Sequence, residues 1–475
     1  MSIGKHSAMN LTTSVASLAV ALVTVPIYLK LIGPESYGML AVLWALLGYF
    51  GFMDLGLGRA VQQRLASNSG MTQAWQGSLI WTALFATLLL GVFGGAAIAV
   101  LGETLLVKFV SVSSAERQES IQAIFWLSSL FPILLSNSVL SGALLARLKY
   151  VKTNQVQFFT NALGQIVPLI VAANGHTNID ALVAATLIVR SLGTAVLFIF
   201  VWKEMRLKES RRIQSSHLKF MFNYGGWLSI LSILAPALVT IDRIIIGSIA
   251  GAQAVAYYIV PYNLVFRTMV IPTSLSNAIF PRIARIDDDR GRALASKATC
   301  TLVAVMTLVA ITGILLAQPF LQLWIGYEFS IKADGVAEII MIGIWINSLV
   351  VAHHSRYMAT NSPKAIVYIF LLEIPVYMLC LYMGLNFLGV LGAAIAWTLR
   401  VLLDTILLLR LNSELIATAK IAASSVVLVG VSYVSSLASM SYIELGIVCL
   451  SLLIASAYKD RAVLTEIFAK LRSKS

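Results

Sequence analysis

Runs of about 20 mostly apolar residues recur along almost the whole of this chain, and that is the length an α-helix needs to cross the hydrocarbon core of a bilayer. Fourteen such runs can be read, at roughly 9–29, 37–58, 78–102, 121–146, 155–173, 179–202, 220–247, 254–280, 298–318, 336–355, 365–385, 389–409, 421–438 and 441–458. The last two are the weakest, separated by a short serine-rich junction at Ser435, Ser436, Ser439 and Ser441. In hydrocarbon the backbone can satisfy its hydrogen bonds only within helices or closed barrels, and runs of this length specify helices. Of the 475 residues, 59% are hydrophobic and 12% charged. A soluble domain carries about a quarter charged residues. The composition therefore excludes a soluble enzyme, a disordered chain and a disulfide scaffold, and predicts an all-α, polytopic membrane protein. Cys300, Cys380 and Cys449 lie far apart in separate apolar runs, so no metal spacing or disulfide framework follows from them. Residues 1–8 lead straight into a spanning run, without the pattern of a cleavable signal.

The net charge is +13, from 34 Lys and Arg against 21 Asp and Glu. These charges sit in short segments between apolar runs, which points to membrane orientation rather than nucleic-acid binding. With the N-terminus inside, the cytoplasmic segments hold 26 basic residues and the outer ones four, Lys30, Lys108, Arg117 and Lys332. A missed or invented span would scramble this alternation, so both termini are expected in the cytoplasm, with the protein multi-pass in a bacterial inner membrane. The longest outer segments, near 103–120 and 319–335, are too short for a catalytic domain. No Gly-x-x-x-x-Gly-Lys-Ser/Thr motif occurs, so an ion gradient or consumption of the product must drive any transport. No enzyme activity, cofactor or metal is expected.

The two halves resemble each other. The hinge Gly33-Pro34-Glu35 falls opposite Gly251-Ala252-Gln253, and Arg64-Leu65-Ala66 opposite Arg282-Ile283-Ala284, both at an offset of 218. Leu22-Val23-Thr24 recurs as Leu238-Val239-Thr240, and Arg190 matches Arg400 at an offset of 210. Six spans per repeat put both halves into the membrane in the same sense, related by an axis along its normal. The expected domains are a six-helix bundle over 1–212, a pseudo-symmetric second bundle over 213–412, and two appended helices with a basic tail over 413–475.

Several motifs carry a family resemblance. Val25-Pro26-Ile27-Tyr28-Leu29, then Leu31-Ile32-Gly33-Pro34-Glu35-Ser36-Tyr37-Gly38, then Asp54-Leu55-Gly56-Leu57-Gly58-Arg59-Ala60, resemble the start of a polysaccharide (Wzx-type) O-antigen flippase. Ile241-Asp242-Arg243-Ile244-Ile245-Ile246-Gly247, followed by Tyr257-Tyr258 and Pro261-Tyr262, resemble the matching part of the second half. The resemblance implies the multidrug/oligosaccharidyl-lipid/polysaccharide exporter superfamily and a fold of the MATE/MurJ type. It implies movement of undecaprenyl-pyrophosphate-linked oligosaccharide from the cytoplasmic to the outer leaflet by alternating access. Membrane lipid, a polysaccharide polymerase and a chain-length regulator are the further partners it implies. The alternative is a multidrug or small-solute cation-coupled antiporter of the same superfamily. A membrane glycosyltransferase or ligase is disfavoured by the short outer segments.

Charges inside the spans are the candidate site. Each costs about 2.5–3.5 kcal/mol near mid-bilayer, so each should face a partner or water. The basic ones are Arg190, Arg400, Arg243 and Arg267; arginine keeps its charge and binds phosphate oxygens bidentately, so these are the expected ligands of a diphosphate headgroup. Asp54, Asp242, Glu373 and Asp404 are the candidate coupling or structural carboxylates. Arg400 and Asp404, four apart on one helix, are expected to pair. Asn154, Gln155, Gln157, Asn161 and Gln165 give span five a polar stripe that suits either helix contacts or a wet wall. Tyr257, Tyr258, Tyr262 and Asn263 are expected as an interfacial belt or as sugar contacts.

Overall fold

A computed structural model describes residues 3–50, 56–67, 72–109, 114–205, 212–219, 221, 241–283, 288–360, 364–438, 440–463 and 465. Every regular element among them is helical. The helices are α1 (Ile3–Phe50), α2 (Leu57–Ser67), α3 (Gln73–Phe109), α4 (Ser114–Ala146), α5 (Tyr150–Ala173) and α6 (Ile179–Glu204). Then follow α7 (Ala252–Phe266), a 3-10 turn Arg267–Met269, α8 (Val270–Ile283), α9 (Asp288–Leu315), α10 (Ala317–Trp324) and α11 (Tyr327–Ser348). The last are α12 (Val351–Thr360), α13 (Lys364–Leu411), α14 (Leu415–Ser436) and α15 (Tyr442–Lys459). Residues 241–250 are helical as well. The chain forms two compact units, Met1–Ala256 and Tyr257–Ser475.

Among the described residues, ten helices are long and apolar enough to cross a membrane, or eleven if α11 and α12, bent by 43°, form one span. This differs from fourteen for two reasons. Span 220–247 lies mostly outside the described residues. And α1 and α13, 48 residues each, hold two expected spans apiece. A straight helix of that size would be about 72 Å long, more than twice the bilayer core. Each is folded at a glycine whose backbone leaves the helical region, Gly33 at φ 75° and Gly389 at φ 59°. Positive φ is open to glycine without a Cβ penalty. In α1 the fold brings the rings of Tyr28 and Trp44 to 5.6 Å, although a continuous helix would separate them by about 24 Å. In α13 it brings Gly384 and Gly392 backbone to backbone: a Cβ on Gly392 would lie 1.9 Å from the Gly384 carbonyl oxygen. Gly251, opposite Gly33 in the proposed repeat, also has positive φ, 86°.

In the first unit α3 packs on α4, α2 on α4, and α4 and α5 on α6, around Leu57, Val61, Leu79, Ile80, Leu140 and Leu197. Small residues set the spacing: Gly58 of α2 and Gly142 of α4 are so close that a Cβ on Gly142 would meet the Gly58 carbonyl at 2.2 Å. Close backbone approach of this kind is how helices associate in lipid, where no hydrophobic drive separates tails from leucines. Residues 214–217 pack against α3. The Gln214 N–H donates to Thr82 Oγ1 (3.0 Å), and His217 lies 3.0 Å from Ser78 Oγ and edge-on to Trp75. Arg64 stacks over the same Trp75 ring, 5.7 Å away.

In the second unit α11 packs on α13 and on α9, and α9 carries the appended pair α14 and α15. That pair is held by Cys449 against Ile311 and Leu315, by a hydrogen bond from Ser436 to Glu338 (3.0 Å), and by one from Tyr442 to Gln322 (2.6 Å). Its serine-rich junction is a helix start: Ser441 accepts from the Glu444 N–H while the Glu444 carboxylate accepts from the Ser441 N–H, a capping box. Outward faces are apolar, with Phe93, Val100, Phe387 and Ile443 each more than 70% exposed, as lipid-facing side chains should be.

Two outcomes test this packing. Gly392→Ala drives a methyl into the Gly384 carbonyl and should cost about 1–3 kcal/mol, seen as a lower melting temperature in detergent. Gly446→Ala, which meets nothing within 4 Å, should leave it unchanged. Burial, with added repulsion from Arg64, holds His217 below its usual value of 6.5. The docked segment therefore resists protonation, so docking is complete above about pH 6.5 and weakens as the pH falls below it. The protection of residues 214–219 against hydrogen exchange, relative to the unprotected rate at each pH, should fall as the pH drops from about 6.5 to about 5.5, and His217→Gln should flatten that dependence.

Candidate functional site

α6 is apolar for most of its length, so the arginine near its middle needs surroundings that can hold a charge. They come from its two neighbours. Arg190 and Thr194 of α6, Gln157, Thr160 and Asn161 of α5, and Leu134, Asn137 and Ser138 of α4 line a cavity of about 120 Å³. Among the described residues no carboxylate pairs with the Arg190 guanidinium. α5 and α6 approach closely because Gly193 offers no side chain to Thr160; a Cβ there would lie 2.1 Å from the threonine hydroxyl.

The polar side chains form a directed relay. Thr194 donates its hydroxyl proton to the Arg190 carbonyl (3.0 Å), so its oxygen can only accept. Asn137 Nδ2 donates to it (3.2 Å), which turns Asn137 Oδ1 toward Gln157. Gln157 Nε2 then donates to Asn137 Oδ1 (2.7 Å) and to Ser141 Oγ (3.2 Å). A single hydroxyl thus sets the orientation of two carboxamides.

Arg400 occupies a comparable place, eleven residues past Gly389 as Arg190 is eleven past Ile179, but its surroundings differ. Its Nη1 lies 3.8 Å from Oε2 of fully buried Glu373, on the other arm of the α13 hairpin, and its guanidinium sits over Tyr377, 5.6 Å from the ring centre. Asp404 is one turn along. The ion pair therefore runs across the hairpin to Glu373, not along the helix to Asp404 as its spacing predicts. Two carboxylates and one guanidinium therefore share this part of the second unit.

The other candidates are dispersed. Asp242 and Arg243 are both buried in the first unit, with Asp242 Oδ1 accepting from the Arg243 N–H (2.7 Å). Arg267 opens the 3-10 turn between α7 and α8 in the second unit. Asp54 lies outside the described residues. Of the α5 stripe, Gln157 and Asn161 reach the cavity, while Gln165 serves α1, its backbone carbonyl accepting from Tyr28 (2.7 Å). Tyr258 and Tyr262 are not a belt. They are buried and stacked at 5.6 Å, with Tyr262 edge-on to Trp397, because the helix face they share is turned into the second unit's core. Tyr257 lies against Phe329 with Lys332 over its ring. Sequence reasoning passes over Asn137, Ser138, Thr160 and Thr194; the signal for the first two is the polar run Ser136-Asn137-Ser138 inside an apolar span.

With this geometry in hand, comparison with known proteins places the chain. It is 26% identical over 409 residues to a protein of Shigella flexneri named for O-antigen transport, covering 86% of this chain and 97% of that one. Its fold is similar to that of the lipid II flippase MurJ in an inward closed conformation, with a TM-score of 0.77 at 12% identity over 97% of this chain and 99% of the other. It is also similar to an inward-facing multidrug resistance MATE family transporter of the MOP superfamily, with a TM-score of 0.71 at 12% identity over 88% and 99%. Residues 3–287 match the family described as "Polysaccharide biosynthesis protein". The chain is a multi-pass membrane protein and belongs to that polysaccharide biosynthesis family.

Proposed function

We propose that this protein is a flippase that carries undecaprenyl-pyrophosphate-linked oligosaccharide, an O-antigen or related repeat unit, from the cytoplasmic to the outer leaflet by alternating access. The observation that carries this reading is Arg190, a guanidinium without a carboxylate partner among the described residues, set in a polar cavity within an otherwise apolar helix. A diphosphate cannot cross hydrocarbon bare, since an unpaired ion there costs tens of kcal/mol by Born estimates. A fixed guanidinium offers paired N–H donors and a permanent charge to the headgroup while the polyprenyl tail stays in lipid. Arg190 is the first diphosphate ligand in this reading; Arg400, Arg243 and Arg267 complete the basic set. Two six-helix lobes, 1–212 and 213–412, alternate around the substrate, and 413–475 is an appendix to the second. The bacterial inner membrane, cytoplasmic termini, and a polymerase and chain-length regulator as partners belong to the same reading.

A second reading, a cation-coupled antiporter for drugs or small solutes, is favoured by Glu373 and Asp404 beside Arg400, whose carboxylates outnumber the guanidinium. The two readings join if these groups, with Asp242 and Asp54, couple ion movement to the flippase.

Arg190→Ala should lower surface polysaccharide at least about tenfold when the gene is returned to a flippase-null strain, the loss expected for a charged hydrogen bond to phosphate. Arg190→Lys should recover part of it, since lysine keeps the charge but not the fork. Unchanged display with altered drug resistance would favour the antiporter. For orientation, Lys332→Cys should react with a membrane-impermeant maleimide added outside intact cells, and Lys208→Cys should react only after lysis.

A further inference from the structure

The relay beside Arg190 has a direction, and the direction leaves one group over. Thr194 gives its proton to the Arg190 carbonyl, Asn137 must give an N–H to Thr194, and Gln157 must give its N–H groups to Asn137 and Ser141. Both Gln157 N–H donors are thereby committed. Its carbonyl oxygen, Oε1, takes no hydrogen bond among the described residues, so it remains an acceptor on a residue that lines the cavity together with Arg190 and the exposed Asn161. A cavity built only to hold an anion would offer donors throughout. This one offers donors and then an acceptor locked in place.

We infer that the α4–α5–α6 cavity is a monosaccharide subsite: Gln157 Oε1 accepts a hydrogen bond from a hydroxyl or amide N–H of the sugar that adjoins the diphosphate. Asn161 supplies a second polar contact. The inference rests on Arg190 as the diphosphate ligand, because that contact places the adjoining sugar against the relay. The dimensions suit one edge of one sugar ring. A cavity of about 120 Å³ equals the liquid volume of about four waters, too small for an oligosaccharide. Leu134 gives the wall an apolar strip for the C–H face of a ring. Discrimination follows from polarity: a cargo that presents an acceptor to Gln157 Oε1 leaves two acceptors opposed, and a site built to bond a hydroxyl rejects partners that lack one.

The test uses the full-length chain purified in lipid nanodiscs and two probes, farnesyl diphosphate and farnesyl diphosphate bearing one N-acetylglucosamine. The wild type should bind the glycosylated probe about tenfold more tightly than the bare one, the worth of one or two good hydrogen bonds. Gln157→Leu should erase that preference while affinity for bare farnesyl diphosphate stays within about twofold. Thr194→Val should erase it too, although the acceptor itself is untouched, because without the hydroxyl both carboxamides are free to turn over. Thr194→Ser should restore it. A wild type without preference, or a preference that survives both Gln157→Leu and Thr194→Val, overturns the proposal. Arg190→Gln should weaken both probes alike. If it weakens neither, the diphosphate reading fails, and the ratio of the two affinities still judges the sugar subsite.

Discussion

In hydrocarbon there is no water to fall back on, so every polar group carried into the bilayer must find its partner inside the protein. That constraint explains the helical architecture, since the helix is the local way to pair each N–H with a C=O. It explains why the contacts between helices rest on glycine and on short polar side chains, as at Gly58 against Gly142 and Gly193 against Thr160. It also sets the value of an exception. Ser436 reaches Glu338 and Arg400 reaches Glu373, so Arg190, which has no carboxylate partner among the described residues, stands apart from the rule.

Arg190 and Arg400, matched in the proposed repeat, have contrasting surroundings. Each lies eleven residues into its helical arm, and each sits on an element that follows a tight reversal. Around Arg190 the neighbours are neutral: amides, hydroxyls and one leucine. Around Arg400 they are carboxylates and a tyrosine face. The first environment leaves positive charge to offer; the second absorbs it. A chain that must hold an anion in one stage and exchange a cation in another would gain from that asymmetry.

Much of this was legible before any coordinates. Apolar runs located the helices because length and hydropathy act on each span separately. Gly33 announced its hinge through the following proline, and Arg190 announced itself by being charged in the middle of an apolar run. What could not be read were relations across helices. The spacing of Arg400 and Asp404 suggested a pair along one helix, but the ion pair lies with Glu373 on the opposite arm, a neighbour created by the reversal at Gly389. Tyr258 and Tyr262 looked like a membrane belt because residue type alone does not say which way a face turns; their helix turns it inward, onto Trp397. The relay from Thr194 through Asn137 to Gln157 joins three helices, and no single stretch of sequence contains it.

The glycine contact inside α13 has a mechanical corollary. Where Gly384 and Gly392 meet, the two arms touch through bare backbone, with no side chains between them to act as rollers. Such arms cannot slip lengthwise past one another without prising the hairpin open. Glu373 on one arm and Arg400 on the other are therefore locked in step, and their charge pair travels with the hairpin as cargo bolted to a rigid frame, whatever else in the protein tilts or rocks.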